Sequence, residues 1–255
     1  MDFTVAYLQY AGSGQMRHEE QLLTEGLGKL GIPIHHYSIK RIHRRQLPLG
    51  LETFVAGDMP AMHGAMRQLG IPIPLPDDYP EVLGSFLGRK VWTSTLGQVE
   101  RTMESSSTAA VFVKPADRRK NFTGTVCYSE HDFGAWGGAS RHQRVRCSEV
   151  VTWVSEFRVY VIGGQVVATD HYAGDDSAQL DMNVVHAAVD VYHRSGTAPS
   201  AYAIDFGVLT NGDTALVEVN DGYALGAYRI TADHYTELVM ARWRELLGTV
   251  NHDPE

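Results

Sequence analysis

Two apolar runs near the end of the chain flank an Asn-Gly pair, and this pattern constrains the fold more than any other feature of the sequence. The runs are 203–209 and 216–220, and the pair is Asn211-Gly212. Asn-Gly between two apolar runs is the strongest short-range signal for a tight β-hairpin. Side chains two residues apart on a strand point to the same face of the sheet. The sequence therefore predicts two adjacent antiparallel strands.

Three oxygen-bearing side chains lie on this predicted hairpin. Asp205 is on the first strand, and Glu218 and Asn220 lie two residues apart on the second. Asp205 can therefore join the other two across the hairpin. Carboxylate and amide oxygens are the ligands that Mg²⁺ prefers when phosphates fill its remaining positions. The pattern predicts a magnesium site, although an ordinary solvated hairpin face is compatible with the same sequence.

The composition is that of a globular protein and excludes several other classes. At 255 residues the chain is long enough for one large domain or two smaller ones. Its net charge of −8 argues against general nucleic-acid binding, which needs a basic surface. No apolar run reaches membrane-spanning length, and the N-terminus has no signal-peptide pattern. The two cysteines give no disulfide framework, so we expect a cytoplasmic protein.

The first part of the chain alternates predicted strands with predicted helices. The strands are predicted at 3–10, 32–39, 53–56 and 71–73, and the helices at 16–30 and 60–69. Such alternation indicates parallel βαβ units. Gly70 is predicted to end the second helix. The proline-dense segment Pro72–Pro80 marks a boundary, after which the pattern changes.

Beyond this boundary the predicted elements are mainly strands, with little helix between the first of them. The strands are predicted at 109–113, 125–128, 144–151, 156–161 and 165–169, and the helices at 178–193 and 231–247. The predicted fold class is α/β followed by α+β. A small parallel domain is expected over residues 1–86, and antiparallel sheets over 87–255. The second part divides further into 87–151 and 152–255.

Two lysines near a strand end are suited to binding a polyphosphate. Lys114 ends an apolar run, and Lys120 lies six residues further on in a loop. Each ammonium group can neutralise charge on different phosphoryl oxygens, although an isolated pair of this kind is more often an exposed basic turn. Glu156 and Arg158 share one face of a later strand. They could bind a ribose and a phosphate, or pair with each other.

Taken in their order along the chain, these features resemble the ATP-grasp superfamily. In that family a strand lysine precedes a phosphate-covering loop, and two carboxylates followed by an asparagine bind magnesium. The thirteen-residue step from Asp205 to Glu218 and the Glu-x-Asn pair are the most specific matches. The Glu156–Val161 run looks most like the clade named for one arginine and two lysines. The resemblance covers about residues 87–247 and implies an ATP-grasp fold, in which two α+β subdomains clasp ATP.

The resemblance also implies a role for each matching residue. It implies that Arg158, Lys114 and Lys120 are the catalytic residues and that Lys90 also faces the phosphates of ATP. It implies that ATP is also bound by Glu149, Val150 and Val151 at the adenine and by Glu156 at the ribose. It implies one or two Mg²⁺ ions on Asp205, Glu218 and Asn220. For the acceptor substrate, the expected residues are Arg17, Tyr223, Tyr228 and Arg229.

The activity that the resemblance implies is that of an ATP-dependent carboxylate–amine ligase. It would form an amide or peptide bond through an acyl phosphate. A phosphotransferase acting on a small molecule and a nucleotide-binding protein without turnover are the alternatives. The last is favoured by Ala203, since many family ligases carry an arginine at this position. In a ligase, Arg158 would have to supply the missing positive charge. Expected partners are carboxylate and amine substrates, either small molecules or peptides; no pattern specifies their identity or an oligomeric state.

Overall fold

The computed structural model describes residues 2–12, 14–105, 110–117 and 122–251. Within them the strands are Val5–Gln9 (β1), Ile34–Tyr37 (β2), Thr53–Ala56 (β3), Val91–Thr95 (β4), Val111–Pro115 (β5), Thr125–Cys127 (β6), Arg144–Glu149 (β7), Trp153–Ile162 (β8), Gln165–Gly174 (β9), Ala201–Leu209 (β10) and Thr214–Asp221 (β11). The helices are His18–Lys29 (α1), Ile39–His43 (α2), Met59–Leu69 (α3), Leu96–Ser105 (α4), Met182–Arg194 (α5) and Ala232–Gly248 (α6).

The first part of the chain forms a parallel sheet with the strand order β2-β1-β3, as the βαβ pattern predicts. Asp58 caps the N-terminus of α3, because its carboxylate accepts a hydrogen bond from the Ala61 amide at 3.0 Å. Gly70, which has a φ of 74°, caps the C-terminus. The predicted strand at 71–73 is wrong, because this segment has no regular structure. Pro72 and Pro74 lack the N–H groups that a strand would donate.

The predicted hairpin is confirmed as β10 and β11, and it belongs to an antiparallel sheet with the order β11-β10-β8-β9. The Gly212 amide donates to the Leu209 carbonyl at 2.8 Å, which closes the turn. Apolar side chains on one face of this sheet pack against α5, among them Val159, Ile204 and Phe206. That leaves the opposite face, with its polar residues, for the site.

The remaining strands form a second antiparallel sheet with the order β4-β7-β5-β6. Its small core includes Leu96, Val113, Cys127 and Trp136. No element was predicted for residues 91–105, where the structure has β4 and α4; this helix packs on the sheet through Leu96 and Val99. Its apolar residues Leu96, Val99 and Met103 lie at helical spacing and form one face.

The closing helix α6 packs back on the parallel sheet rather than only on its own part of the chain. Trp243 is fully buried, and its indole N–H donates to the Thr53 carbonyl at 2.9 Å. One continuous core holds Leu8, Leu27 and Trp243 together. The division at residue 86 therefore stays a prediction, because the core crosses it. None of the described helices has the length and apolar character needed to cross a bilayer.

Candidate functional site

The hairpin brings the three predicted oxygen ligands together on the face of the sheet away from α5. Asp205 and Glu218 are directly opposite each other in the β10–β11 register. The Asn220 amide nitrogen lies 3.2 Å from Asp205 Oδ2 and 3.4 Å from Glu218 Oε1. Asp205 is buried, whereas the Glu218 side chain is 31% exposed. The three side chains therefore converge on one point, as the spacing predicts, and their role as metal ligands stays a prediction.

Lys114 reaches this point from the other antiparallel sheet. Its Nζ lies 2.6 Å from Glu218 Oε2 and 2.7 Å from Asp78 Oδ2. Burial lowers the pKa of Lys114, but Glu218, Tyr79 and Asp78 together raise it above its ordinary value. Burial likewise raises the pKa of Glu218, and the Lys114 ammonium outweighs it, so the pKa lies below the ordinary value. Both groups are therefore charged at neutral pH.

Arg158 is held by Asp205 and by a nearby loop. The two residues are paired in the register of β8 and β10, and the guanidinium donates from Nε at 2.9 Å and from Nη2 at 2.7 Å. Its Nη1 donates to the Gly226 carbonyl at 3.0 Å. Burial raises the pKa of the Asp205 carboxyl, and Arg158 opposes this rise. Arg158 thus supplies a positive charge beside Asp205 from the neighbouring strand, where β10 itself has Ala203.

A cleft of about 680 Å³ joins these residues. Its lining includes Lys114, Arg158, Glu218 and Asn220, and it is bounded by parts of both antiparallel sheets and by the segment before β4. This volume lies within the range of small-molecule sites. Lys114, Arg158 and Glu218 therefore face one cleft.

The predicted adenine and ribose residues lie elsewhere. The link between β7 and β8 contains Val150 and Val151. The Glu149 carboxylate accepts from the Lys90 amide at 2.9 Å, and Glu156 accepts from the Tyr172 hydroxyl at 3.0 Å. The described residues that line the 680 Å³ cleft do not include Lys90, Glu149, Val150, Val151 or Glu156. Lys120, with Arg118 and Arg119, lies outside the described residues. The proposed roles of all these residues stay predictions.

The predicted acceptor residues fall into two groups. Arg17 and Tyr223 line a second cavity of about 220 Å³, which shares Tyr223 and Gly226 with the larger cleft. The Arg17 guanidinium pairs with Glu20 and lies 3.7 Å from Asp58, so it already has carboxylate partners. Tyr228 and Arg229 are exposed and do not line either of these two cavities.

The loop that carries Tyr228 is fixed by its backbone. The Ala227 amide donates to Glu19 Oε1 at 3.1 Å, and the Tyr228 amide donates to the Tyr160 hydroxyl at 3.1 Å. The Tyr228 ring stacks on Tyr172 with ring centres 4.8 Å apart. This loop therefore connects α1 with the face of the sheet that holds the hairpin carboxylates.

Sequence reasoning missed Asp78 and Glu19. The Asp77-Asp78 pair was interpreted only as part of a proline-rich boundary, and Glu19 as an ordinary helix position. No local pattern could have assigned them, because their partners Lys114 and Ala227 are 36 and 208 residues away in the chain.

A model of the ATP-grasp domain, family 2 of the clade named for one arginine and two lysines, matches residues 86–238. The chain belongs to this ATP-grasp family. The match begins just after the proline-rich segment and ends within α6, so it includes both antiparallel sheets and the cleft between them. It agrees with the resemblance carried by the hairpin and the strand lysine.

Solved structures show that the ATP-grasp fold extends over most of the chain. D-alanyl-alanine synthetase A from Vibrio cholerae is 13% identical, with a TM-score of 0.54, and the similarity covers 98% of each chain. The macrocyclase MdnC from Microcystis aeruginosa, bound with precursor peptide MdnA, is 12% identical, with a TM-score of 0.56 over 93% of this chain and 99% of that one. The ATP-grasp ligase PsnB, complexed with minimal precursor, Mg and ADP, is 12% identical, with a TM-score of 0.50 over 95% and 98%. No curated protein sequence matches the chain significantly.

Proposed function

We propose that this ATP-grasp protein is an ATP-dependent carboxylate–amine ligase that forms an amide or peptide bond through an acyl phosphate. The observation that carries the proposal is the meeting of Lys114 from one sheet with Asp205, Glu218 and Asn220 from the other. A cation and a hard-oxygen ligand set in one cleft suit the terminal phosphates of a nucleotide.

The residues present are suited to magnesium. Among the described residues, no group of three or more His, Cys, Asp and Glu is arranged to hold a metal ion, so the candidate set consists of two carboxylates and the Asn220 amide. Such a partial set is what Mg²⁺ needs when phosphates and water complete its octahedron. When bound, Mg²⁺ would neutralise charge on the terminal phosphates of ATP. We therefore propose Asp205, Glu218 and Asn220 as its ligands.

Other charged residues of the cleft are proposed to neutralise phosphate charge or to position neighbouring groups. Lys114 neutralises the phosphoryl group as it passes from ATP to the oxygen of a substrate carboxylate. Arg158 holds the Asp205 carboxylate in one orientation and fixes the loop at Gly226. An amine then attacks the carbonyl carbon of the acyl phosphate, and phosphate leaves. Lys120 and its loop are proposed to cover the phosphates and exclude water.

The acceptor substrates are proposed to enter through the 220 Å³ cavity, because it opens on the main cleft at Tyr223 and Gly226. The related folds named above include proteins bound with precursor peptides and a synthetase of a dipeptide. We therefore propose carboxylate and amine substrates that are small molecules or peptides, and a cytoplasmic location on the grounds of composition.

The proposal is tested by ADP release against a panel of amino acids and peptides, with masses of the products. We expect ADP release that requires both a carboxylate and an amine. Lys114→Met should reduce the rate on the order of 10²-fold or more. Lys29→Met is the matched control, since Lys29 is an exposed lysine paired with Glu25 and Asp233, and it should have the wild-type rate.

Other results would contradict the ligase proposal. A stable phosphorylated product without an amine would indicate a phosphotransferase, and nucleotide binding without ADP release would indicate a binding protein. Wild-type turnover by a folded Lys114→Met variant would overturn the role of Lys114.

A further inference from the structure

The proline-rich connector between α3 and β4 lies across the candidate nucleotide cleft. Its residues Pro74 to Asp78 form part of the cleft lining. The connector is attached to β11, which is an edge strand of its sheet, because the Val219 amide donates to the Asp78 carbonyl at 2.9 Å. The connector therefore covers the strand that carries Glu218 and Asn220.

Asp78 occupies one side of the lysine that is proposed to bind phosphate. Asp78 Oδ2 and Glu218 Oε2 lie 2.7 and 2.6 Å from Lys114 Nζ, and the Tyr79 ring centre lies 4.5 Å from it. The Lys114 side chain is 14% exposed, while that of Asp78 is 35% exposed. Two carboxylates thus share one ammonium group, and the three charges sum to −1. A phosphate that approaches Lys114 meets excess negative charge unless one carboxylate withdraws.

Of the two carboxylates, Asp78 is the one that can withdraw without dismantling the site. Glu218 lies on a strand that is paired with β10 along its length, and it belongs to the proposed metal ligands. Asp78 lies on a connector segment without regular structure. A carboxylate oxygen hydrogen-bonded to an ammonium group also resembles a phosphoryl oxygen in charge and distance.

We infer that Asp78 is a built-in competitor of the nucleotide phosphates: it pairs with Lys114 in the nucleotide-free protein, and ATP displaces it and releases the connector. This inference rests on the proposed function, since it requires a nucleotide in the cleft. The connector, residues 74–78, then acts as a strap over the cleft. The strap is closed when Asp78 pairs with Lys114 and open when a nucleotide is bound. Apparent nucleotide affinity is then reduced by the fraction of molecules in which the strap is closed.

The first test measures binding of a non-hydrolysable ATP analogue with Mg²⁺ by calorimetry. Asp78→Asn keeps the shape of the side chain and removes its charge, so the analogue should bind on the order of three- to tenfold more tightly. Glu81→Gln is the matched control, because Glu81 is an exposed carboxylate three residues further along the chain and does not line the cleft. It should change the dissociation constant by less than about twofold, since surface charges act weakly.

The second measurement is hydrogen exchange of peptides that cover residues 73–80 and the Val219 amide. In the wild type, exchange should become faster when the analogue binds. In Asp78→Asn it should already be fast without nucleotide, while Glu81→Gln should behave as the wild type.

The outcomes separate this inference from the proposed function. If the wild type binds the analogue but Asp78→Asn binds it no more tightly than the wild type or Glu81→Gln does, the strap is refuted and the nucleotide site stands. Unchanged exchange at 73–80 on binding would also refute it. If the wild type binds no analogue at all, the proposed function fails, and the inference fails with it.

Discussion

At the scale of single residues, charged groups in the cleft are paired with partners on different elements. Lys114 pairs with Glu218 and Asp78, and Arg158 pairs with Asp205. Burying one of these charges without its partner would be costly, because a carboxylate or ammonium group loses its water. The charged residues that are proposed to bind a ligand therefore also stabilise the fold around the cleft.

Because the pKa of Glu218 is lowered in the folded protein, we predict that the stability difference between the wild type and Glu218→Gln depends on pH. A carboxyl group whose pKa is lower in the folded state stabilises the protein above its ordinary pKa, here 4.5, and this contribution disappears as the pH falls through the folded-state pKa. Glu218→Gln should therefore reduce the free energy of unfolding at pH 7 by about 1–3 kcal/mol, as for other hydrogen bonds to charged groups. Below pH 4.5 the difference from the wild type should shrink.

Urea unfolding at a series of pH values from about 3 to 8 measures this difference. A stability difference that is the same at every pH would contradict the ion pair between Lys114 and Glu218. A Glu218→Gln variant more stable than the wild type at neutral pH would also contradict it.

At the scale of elements, the hairpin strand β10 is positioned by a tight contact with the start of β8. Gly207 leaves room for the Trp153 ring, since a Cβ added there would lie 2.2 Å from Trp153 Cε3. The same strand is buried over nearly its whole length. Close packing at Gly207 therefore fixes the strand two residues from Asp205.

Gly207→Ala should destabilise the protein by about 1–3 kcal/mol, because the added methyl group overpacks the interior and must displace the indole ring. Gly84→Ala is the control: no heavy atom lies within 4 Å of a Cβ built there. Its effect should stay within about 0.5 kcal/mol. Thermal unfolding with Trp fluorescence measures both, and equal stabilities of the two variants would refute the contact.

At the scale of the whole molecule, α6 makes the first and last parts of the chain depend on each other. Trp243 packs in the core that contains Leu8 and Leu27, and it donates to the Thr53 carbonyl. Met59 of α3 and Arg242 of α6 both line the cleft, so its geometry depends on the same core. This arrangement argues against an N-terminal unit that is stable by itself.

Trp243→Ala should reduce the free energy of unfolding by about 3–5 kcal/mol through loss of buried surface and the cavity left behind. Val191→Ala, a substitution at a 41% exposed position of α5, should stay within about 0.5 kcal/mol. Denaturant unfolding followed by circular dichroism would show this difference. Hydrogen exchange should also rise in β1 and β3 of Trp243→Ala, and exchange increased in α6 alone would contradict the shared core.

Local signals in the sequence predicted much of the fold. The prediction that Gly70 ends α3 was correct, because caps act on neighbouring backbone groups. At α5 the predicted start was too early, since the helix begins after its cap Asp181, not at 178. The predicted strand at 71–73 was wrong because the alternation of apolar residues was given more weight than the prolines in the segment.

The sequence by itself determined the hairpin and, with it, the meeting of Asp205, Glu218 and Asn220, because turn chemistry and strand periodicity act over a few residues. It also carried the family resemblance that the ATP-grasp domain match confirms. Only the tertiary structure decided that Arg158 pairs with Asp205, that Asp78 lies on Lys114, and that α6 closes on the first sheet. The partners in these contacts are tens to hundreds of residues apart in the chain, so their pairing follows from the packing of whole elements and leaves no local pattern.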